Sequence, residues 1–221
     1  MKTMSLLNTA KKTVALSVAA LTLSAFANQA NAQELSFGPK VGFTSSTLAG
    51  NDAPDGTSSV SKFTAGVFFK ANAGEIVSFQ PEVLYAQRGA TTTSGNDPDG
   101  QTLDVDYLQI PVLIKAQVPI SETIFPFVYA GPYGAFELSN NYQAAIFDGA
   151  IVFNDQADVN DFDFGAVVGA GMDFQINSFF LGFDARYDIG MSKTVKVDGE
   201  QQDMKNRAFT LFASFGVNLG D

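Results

Sequence analysis

Large apolar residues alternate with small or polar ones in eight separate stretches of this 221-residue chain, and that two-residue period constrains its fold more than any other feature. Successive side chains of an extended strand point to opposite faces, so strict alternation means a sheet with two unlike sides. The clearest stretch is 162–174. Phe162, Phe164, Ala166, Val168, Ala170, Met172 and Phe174 share one face, and Asp163, Gly165, Val167, Gly169, Gly171 and Asp173 share the other. The next stretch, 179–191, repeats it, with Phe179, Leu181, Phe183, Ala185, Tyr187, Ile189 and Met191 opposite Phe180, Gly182, Asp184, Arg186, Asp188 and Gly190. Asn177-Ser178 between them predicts a two-residue hairpin turn.

The pattern recurs over 35–45, 62–71, 76–88, 103–117, 124–139 and 207–219, which brings the strand count to an even eight. Within 103–117 two apolar residues, Tyr107 and Leu108, fall side by side, and this predicts a β-bulge. Prolines 39, 81, 111, 126 and 132 lie inside the runs, each withholding one ladder donor. The connections alternate in length: long at 46–61, short at 72–75, long at 89–102, short at 118–123, long at 140–161, two residues at 177–178, long at 192–206. All long loops therefore lie on one side. That asymmetry predicts an all-β, eight-stranded, antiparallel up-and-down transmembrane β-barrel, with both termini on the short-turn side.

What the two faces contain separates a membrane barrel from a water-soluble one. The less apolar face is mainly small, as in Ser36, Gly38, Lys40, Gly42 and Thr44, with scattered charges. An eight-stranded interior is about wide enough for its own side chains, so glycine must make room for each long inward residue. If the hairpin turn sets the register, Gly171 lies opposite Asp184 and Gly169 opposite Arg186. The large apolar face is then the outer one, facing lipid. Aromatic girdles are expected from Phe69, Phe79, Phe125, Phe174 and Phe179 near the short turns, and from Tyr85, Tyr107, Tyr133, Phe162 and Tyr187 near the long loops.

Glu82, Arg88, Lys115, Asp173, Asp184, Arg186 and Asp188 are the expected lumen-lining residues, with Asp163, Gln80 and Gln109 beside them. Mixed signs in a confined space predict charge-assisted hydrogen bonds, a plug that holds the barrel rigid. A polar lumen passing small solutes is the alternative. A soluble exported barrel carrying a small apolar ligand is a second, and it requires the Phe-rich face to turn inward around a cavity.

Composition narrows the function classes. Lys2, Lys11 and Lys12 precede an apolar run over 13–26 that leads to Ala30-Asn31-Ala32, so 1–32 reads as a cleavable secretory signal and 33–221 as the barrel domain. The run is about 14 residues long, short of the roughly 20 a spanning helix needs. No cysteine or histidine is present, which removes disulfides, imidazole-ligated metals and Ser-His-Asp triads. From Gln33 onward ten Lys plus Arg face twenty-three Asp plus Glu, a net charge of −13 that argues against nucleic acid as a partner. An enzyme reading would make Asp184 with Asp188, or Glu82, the acid and base of a hydrolase, but no nucleophile motif accompanies them, so no enzyme is expected. Two oxygen-rich segments, 50–56 and 95–100, suit calcium, but they lack the spaced ligands of an EF-hand and use the ordinary vocabulary of turns. No cofactor or metal is expected.

Several runs carry a family likeness: Phe37-Gly38-Pro39-Lys40-Val41-Gly42, Phe79-Gln80-Pro81-Glu82-Val83-Leu84-Tyr85, Tyr107-Leu108-Gln109-Ile110-Pro111, Tyr129-Ala130-Gly131-Pro132-Tyr133 and Ala185-Arg186-Tyr187. In their order the chain resembles the porin-family outer-membrane β-barrel domain of Bacteroidetes-type bacteria, over nearly all of 33–221. The resemblance implies location in the outer membrane, contact with its lipid, insertion by the barrel-assembly machinery, a monomer and no catalysis. Intact-mass measurement of the exported protein should give a chain beginning at Gln33; a mass that retains 1–32 would refute the cleavage.

Overall fold

The computed structural model of the protein describes residues 35–51, 57–94, 97–145, 152–155, 160–192, 196–197, 200–201 and 203–219. In chain order its strands are β1 (Leu35–Ala49), β2 (Thr57–Asn72), β3 (Val77–Ser94), β4 (Asp97–Gln117), β5 (Ile124–Ala145), β6 (Val152–Asp155), β7 (Phe162–Ile176), β8 (Phe179–Gly190), β9 (Lys196–Val197), β10 (Glu200–Gln201) and β11 (Lys205–Leu219). Eight of these are long, and each pairs antiparallel with its neighbours along the chain. The last long strand, β11, returns to pair with β1 from Leu35↔Leu219 to Ala49↔Lys205. The result is a closed eight-stranded antiparallel barrel in up-and-down order, as the alternation predicts. Strands β9 and β10 form a small hairpin inside the last long connection.

The hairpin that anchors the register is present. β7 and β8 are joined by Asn177-Ser178, with Asn177 at φ 54°, a left-handed position that asparagine tolerates better than most residues. The register then places Gly171 opposite Asp184 and Gly169 opposite Arg186.

Two expectations are corrected, and a third falls outside the described residues. Several strands reach further toward the long-loop end than the pattern indicated: β3 runs to Ser94, β4 starts at Asp97 and β5 reaches Ala145. The calcium segments fall largely on residues 52–56 and 95–96, outside the described residues. The phase slip at Tyr107-Leu108 is not a bulge in β4. Leu103, Val105, Tyr107, Gln109, Leu113 and Lys115 are all buried on one continuous inner face. What changes there is the solvent. Beyond the apolar belt the outer face of β4 carries Asp104 and Asp106, and the inner face turns apolar, so polarity inverts while the strand keeps its phase. The extra residue lies on β5, where Tyr107 pairs with Glu137 but Asp106 pairs with Ser139, which leaves Leu138 unmatched.

The girdle is corrected too. Tyr107 and Tyr133 point into the barrel, and Phe125 occupies an inner register position opposite Asp173. Tyr85, Phe162 and Tyr187 remain on the outside near the long loops. The outer belt is otherwise apolar, led by Phe43 at 76% exposure and continued by Phe63, Val67, Ile114, Val128, Phe164, Val168, Phe183, Leu211 and Phe215.

Glycines on the inner face seat aromatic rings from the neighbouring strand. Gly42 pairs with Phe212, Gly169 with Tyr129, Gly171 with Phe127, Gly165 with Tyr133 and Gly216 with Phe180. At Gly42 an added Cβ would lie 2.7 Å from the Phe212 ring and 2.8 Å from the Leu211 carbonyl oxygen. Gly42→Val should therefore cost about 1–3 kcal/mol or more by overpacking, and lower the temperature at which the folded band disappears on a semi-native gel. Ala213→Val, on the exposed outer face, should leave that temperature unchanged.

Candidate functional site

Among the described residues, the interior is where the barrel gathers ionisable groups away from solvent. Because inner positions recur at every second residue, one or two charges from most of the long strands meet along the axis. Among the described residues, five buried cations, Lys40, Lys70, Arg88, Lys115 and Arg186, face five buried anions, Glu82, Asp163, Asp173, Asp184 and Asp188. This described set is neutral by residue count, which matters because a buried charge without a partner is costly.

The groups stack in layers. Nearest the short turns, the Lys115 ammonium donates to Asp173 at 2.7 Å, with Lys70 3.8 Å from the same carboxylate. At mid-height five side chains from β1, β3, β5 and β8 close a ring across the bore. Arg186 Nη2 donates to Glu82 Oε2 at 2.6 Å, and Lys40 Nζ reaches Glu82 at 3.3 Å and Asp184 at 2.8 Å. The Tyr129 hydroxyl donates to Asp184 at 2.5 Å and accepts from Arg186 Nε at 3.1 Å. Gln80 adds a donor to Glu82 at 2.8 Å. Above this ring Arg88 pairs with Asp188 and donates to Gln109 Oε1 at 2.9 Å. At the long-loop mouth Asp163 accepts from Asn206 at 2.9 Å and from the Ser192 hydroxyl. A hydroxyl chain through Thr44 joins Thr64 at 2.8 Å and Thr210 at 2.9 Å.

Aromatic rings back the cations. Lys115 lies 3.5 Å from the Phe127 centroid, Lys70 4.2 Å from Phe180 and Lys40 4.4 Å from Phe212. The Arg186 guanidinium stands 4.7 Å from Phe212 and 5.3 Å from Tyr129. Rings seated over glycines therefore fill the bore and also offer their negative faces to the ammonium and guanidinium groups. Between the lower layer and the ring a cavity of about 10 Å³ remains, bordered by Lys40, Gln80, Lys115, Tyr129, Asp173 and Asp184.

All seven sequence-predicted residues lie in the lumen. Glu82, Asp184 and Arg186 share the central ring, Lys115 and Asp173 form the layer below, and Arg88 and Asp188 the layer above. Lys40, on the small-residue face with Gly38 and Gly42, also lines the lumen, and so do Lys70, which parity with Gly66 marks as inward, and Tyr129. Tyr129 was less accessible to sequence reasoning. The space beside Gly169, assigned to Arg186, is occupied by the Tyr129 ring, on which Arg186 stacks.

Removing one ring member strands the rest. Arg186→Met leaves Glu82 and Asp184 short of a cation and should cost about 3–5 kcal/mol. Adding Glu82→Gln should restore part of the loss, because the two sites are coupled. Urea titration of the refolded barrel followed by circular dichroism would read both, and additive losses would contradict the coupling.

The family model described as outer membrane protein beta-barrel domain matches residues 26–196. A comparison with curated proteins finds no match. Among solved structures, OprG from Pseudomonas aeruginosa is 12% identical, with 86% of this chain and 97% of that one covered, at a TM-score of 0.57. The outer membrane protein AlkL, solved in lipid bilayers, is 14% identical, with 86% and 91% covered, at a TM-score of 0.52. At these identities the two structures speak for the fold alone. The family match spans most of the chain, and it agrees with a closed barrel that is apolar outside and charged within: the chain belongs to the outer membrane protein β-barrel domain family and is an outer-membrane barrel.

Proposed function

We propose that this barrel is a structural and surface-presenting protein of the outer membrane, monomeric and without catalysis of its own, whose lumen is plugged by its ion-pair network. The observation that carries this reading is the central ring. Glu82, Lys40, Asp184, Tyr129 and Arg186 link side chains from opposite walls, and the cavity of about 10 Å³ beside them is roughly the space of a single water. The narrow bore of an eight-stranded barrel points the same way. The carboxylates that an enzyme reading would use are engaged: Glu82 by Arg186 and Lys40, Asp184 by Lys40 and Tyr129, Asp188 by Arg88. The soluble carrier needs the Phe-rich face inside around a cavity, whereas Phe43, Phe183 and Phe215 point outward. Such a barrel would meet its surroundings through the long-loop end, where loops usually carry specificity.

Planar-bilayer recording tests the plug. The wild-type protein should show no sustained conductance, and Glu82→Ala with Arg186→Ala, which removes both the widest ring members and their pairing, should produce discrete openings. Steady conductance of the unmodified protein would overturn the plug and favour a weak pore.

A further inference from the structure

Charge outside the lumen is distributed by height. Among the described side chains, the cations that do not belong to the buried set are Lys62, Lys205 and Arg207, and all lie toward the long-loop end. The short turns at the other end carry Glu75 and Glu122 and no cation. In an outer-membrane barrel the long loops are extracellular, so these cations sit on the side of the outer leaflet. Two of them are already matched: Lys62 stands 2.7 Å from Asp104, and Lys205 2.9 Å from Asp203.

Arg207 differs. It lies on the outer face of β11, paired across the strands with Ile189 and Thr47. Its Nη1 donates to the carbonyl oxygens of Gly190 at 2.6 Å and Asn206 at 3.1 Å. Those bonds fix the guanidinium at the wall and leave Nε and Nη2 without a partner among the described residues. No carboxylate pairs with it there, since Asp188 points into the lumen toward Arg88 and Asp203 is held by Lys205. Directly below, the outer face is apolar and open, with Phe209 and Leu211 on β11, Phe43 on β1 and Tyr187 on β8. An oriented guanidinium over a hydrocarbon-facing surface is the geometry of a lipid-phosphate contact: the fork takes phosphate oxygens, and acyl chains lie along the rings beneath.

We propose that Arg207, flanked by Lys205, binds the phosphate of an outer-leaflet lipid headgroup whose acyl chains cover Phe43, Phe209 and Leu211. The site is separate from the lumen network, so its failure would leave the plugged-barrel reading untouched. The test is native mass spectrometry of the refolded full-length barrel in neutral detergent, with three probes: phosphorylated lipid A, the same lipid stripped of phosphate, and inorganic phosphate. The wild type should retain phosphorylated lipid A, and Arg207→Gln should weaken that retention about tenfold, the scale of one charge-assisted contact. Lys62→Gln, which removes a cation already matched by Asp104, should leave it unchanged. If Arg207→Gln loses the boiling-dependent gel shift of a folded barrel, Arg207→Lys takes its place, keeping the charge but losing the fork, and should show a smaller loss. Equal retention by wild type and the Arg207 variant would overturn the proposal. So would equal binding of the phosphate-free lipid, an equal loss in Lys62→Gln, or binding of inorganic phosphate as strong as that of the lipid.

Discussion

The ladder between β1 and β11 is the contact on which everything else rests. In hydrocarbon no water is available for an exposed edge, and each unpaired backbone group would cost several kcal/mol. Joining the first strand to the last satisfies both edges at once. Closure also dictates the rest of the molecule. With eight strands the enclosed space is fixed near the width of a few side chains, so what points inward must be chosen as a set. The outward face is left to lipid, and large apolar residues can stand there without neighbours.

The inner set is resolved by pairing sizes and signs together. A glycine on one strand admits an aromatic ring from the next, and the ring becomes a wall for a lysine or arginine, as in Gly169, Tyr129 and Arg186 or Gly42, Phe212 and Lys40. Each cation is then close to a carboxylate from another part of the wall. Such buried networks are poor guides to net stability, because desolvation offsets much of the attraction. Their consequence is geometric. Glu82 and Arg186 meet only in the correct register of β3 and β8, so a slip of one residue in either strand would turn one of these charges toward lipid.

Height along the barrel adds a second rule. Near the membrane the strands are apolar outside and charged inside; above it Asp104 and Asp106 face out while Leu103, Val105 and Tyr107 face in. One strand thus crosses two solvents and reverses its polarity without changing its pleat. The same boundary places Arg207 at the upper edge of the apolar belt, where its stem can stay against the wall and its head meets headgroups.

Period-two alternation, the two-residue turn at Asn177-Ser178 and the alternating connection lengths determined the strand number, the antiparallel order and which face each residue of β7 and β8 would present. These signals are local, because side-chain direction in a strand follows from position parity alone. The seven charged lumen residues were legible for the same reason. The ring linking Lys40 to Glu82 and Asp184, the seat of Tyr129 over Gly169 and the inward turn of Tyr107 were not. They depend on which strands face one another across the bore and on where the membrane ends along each strand. Both are set when the sheet closes, since closure fixes the stagger of all eight strands together and no single strand carries that information.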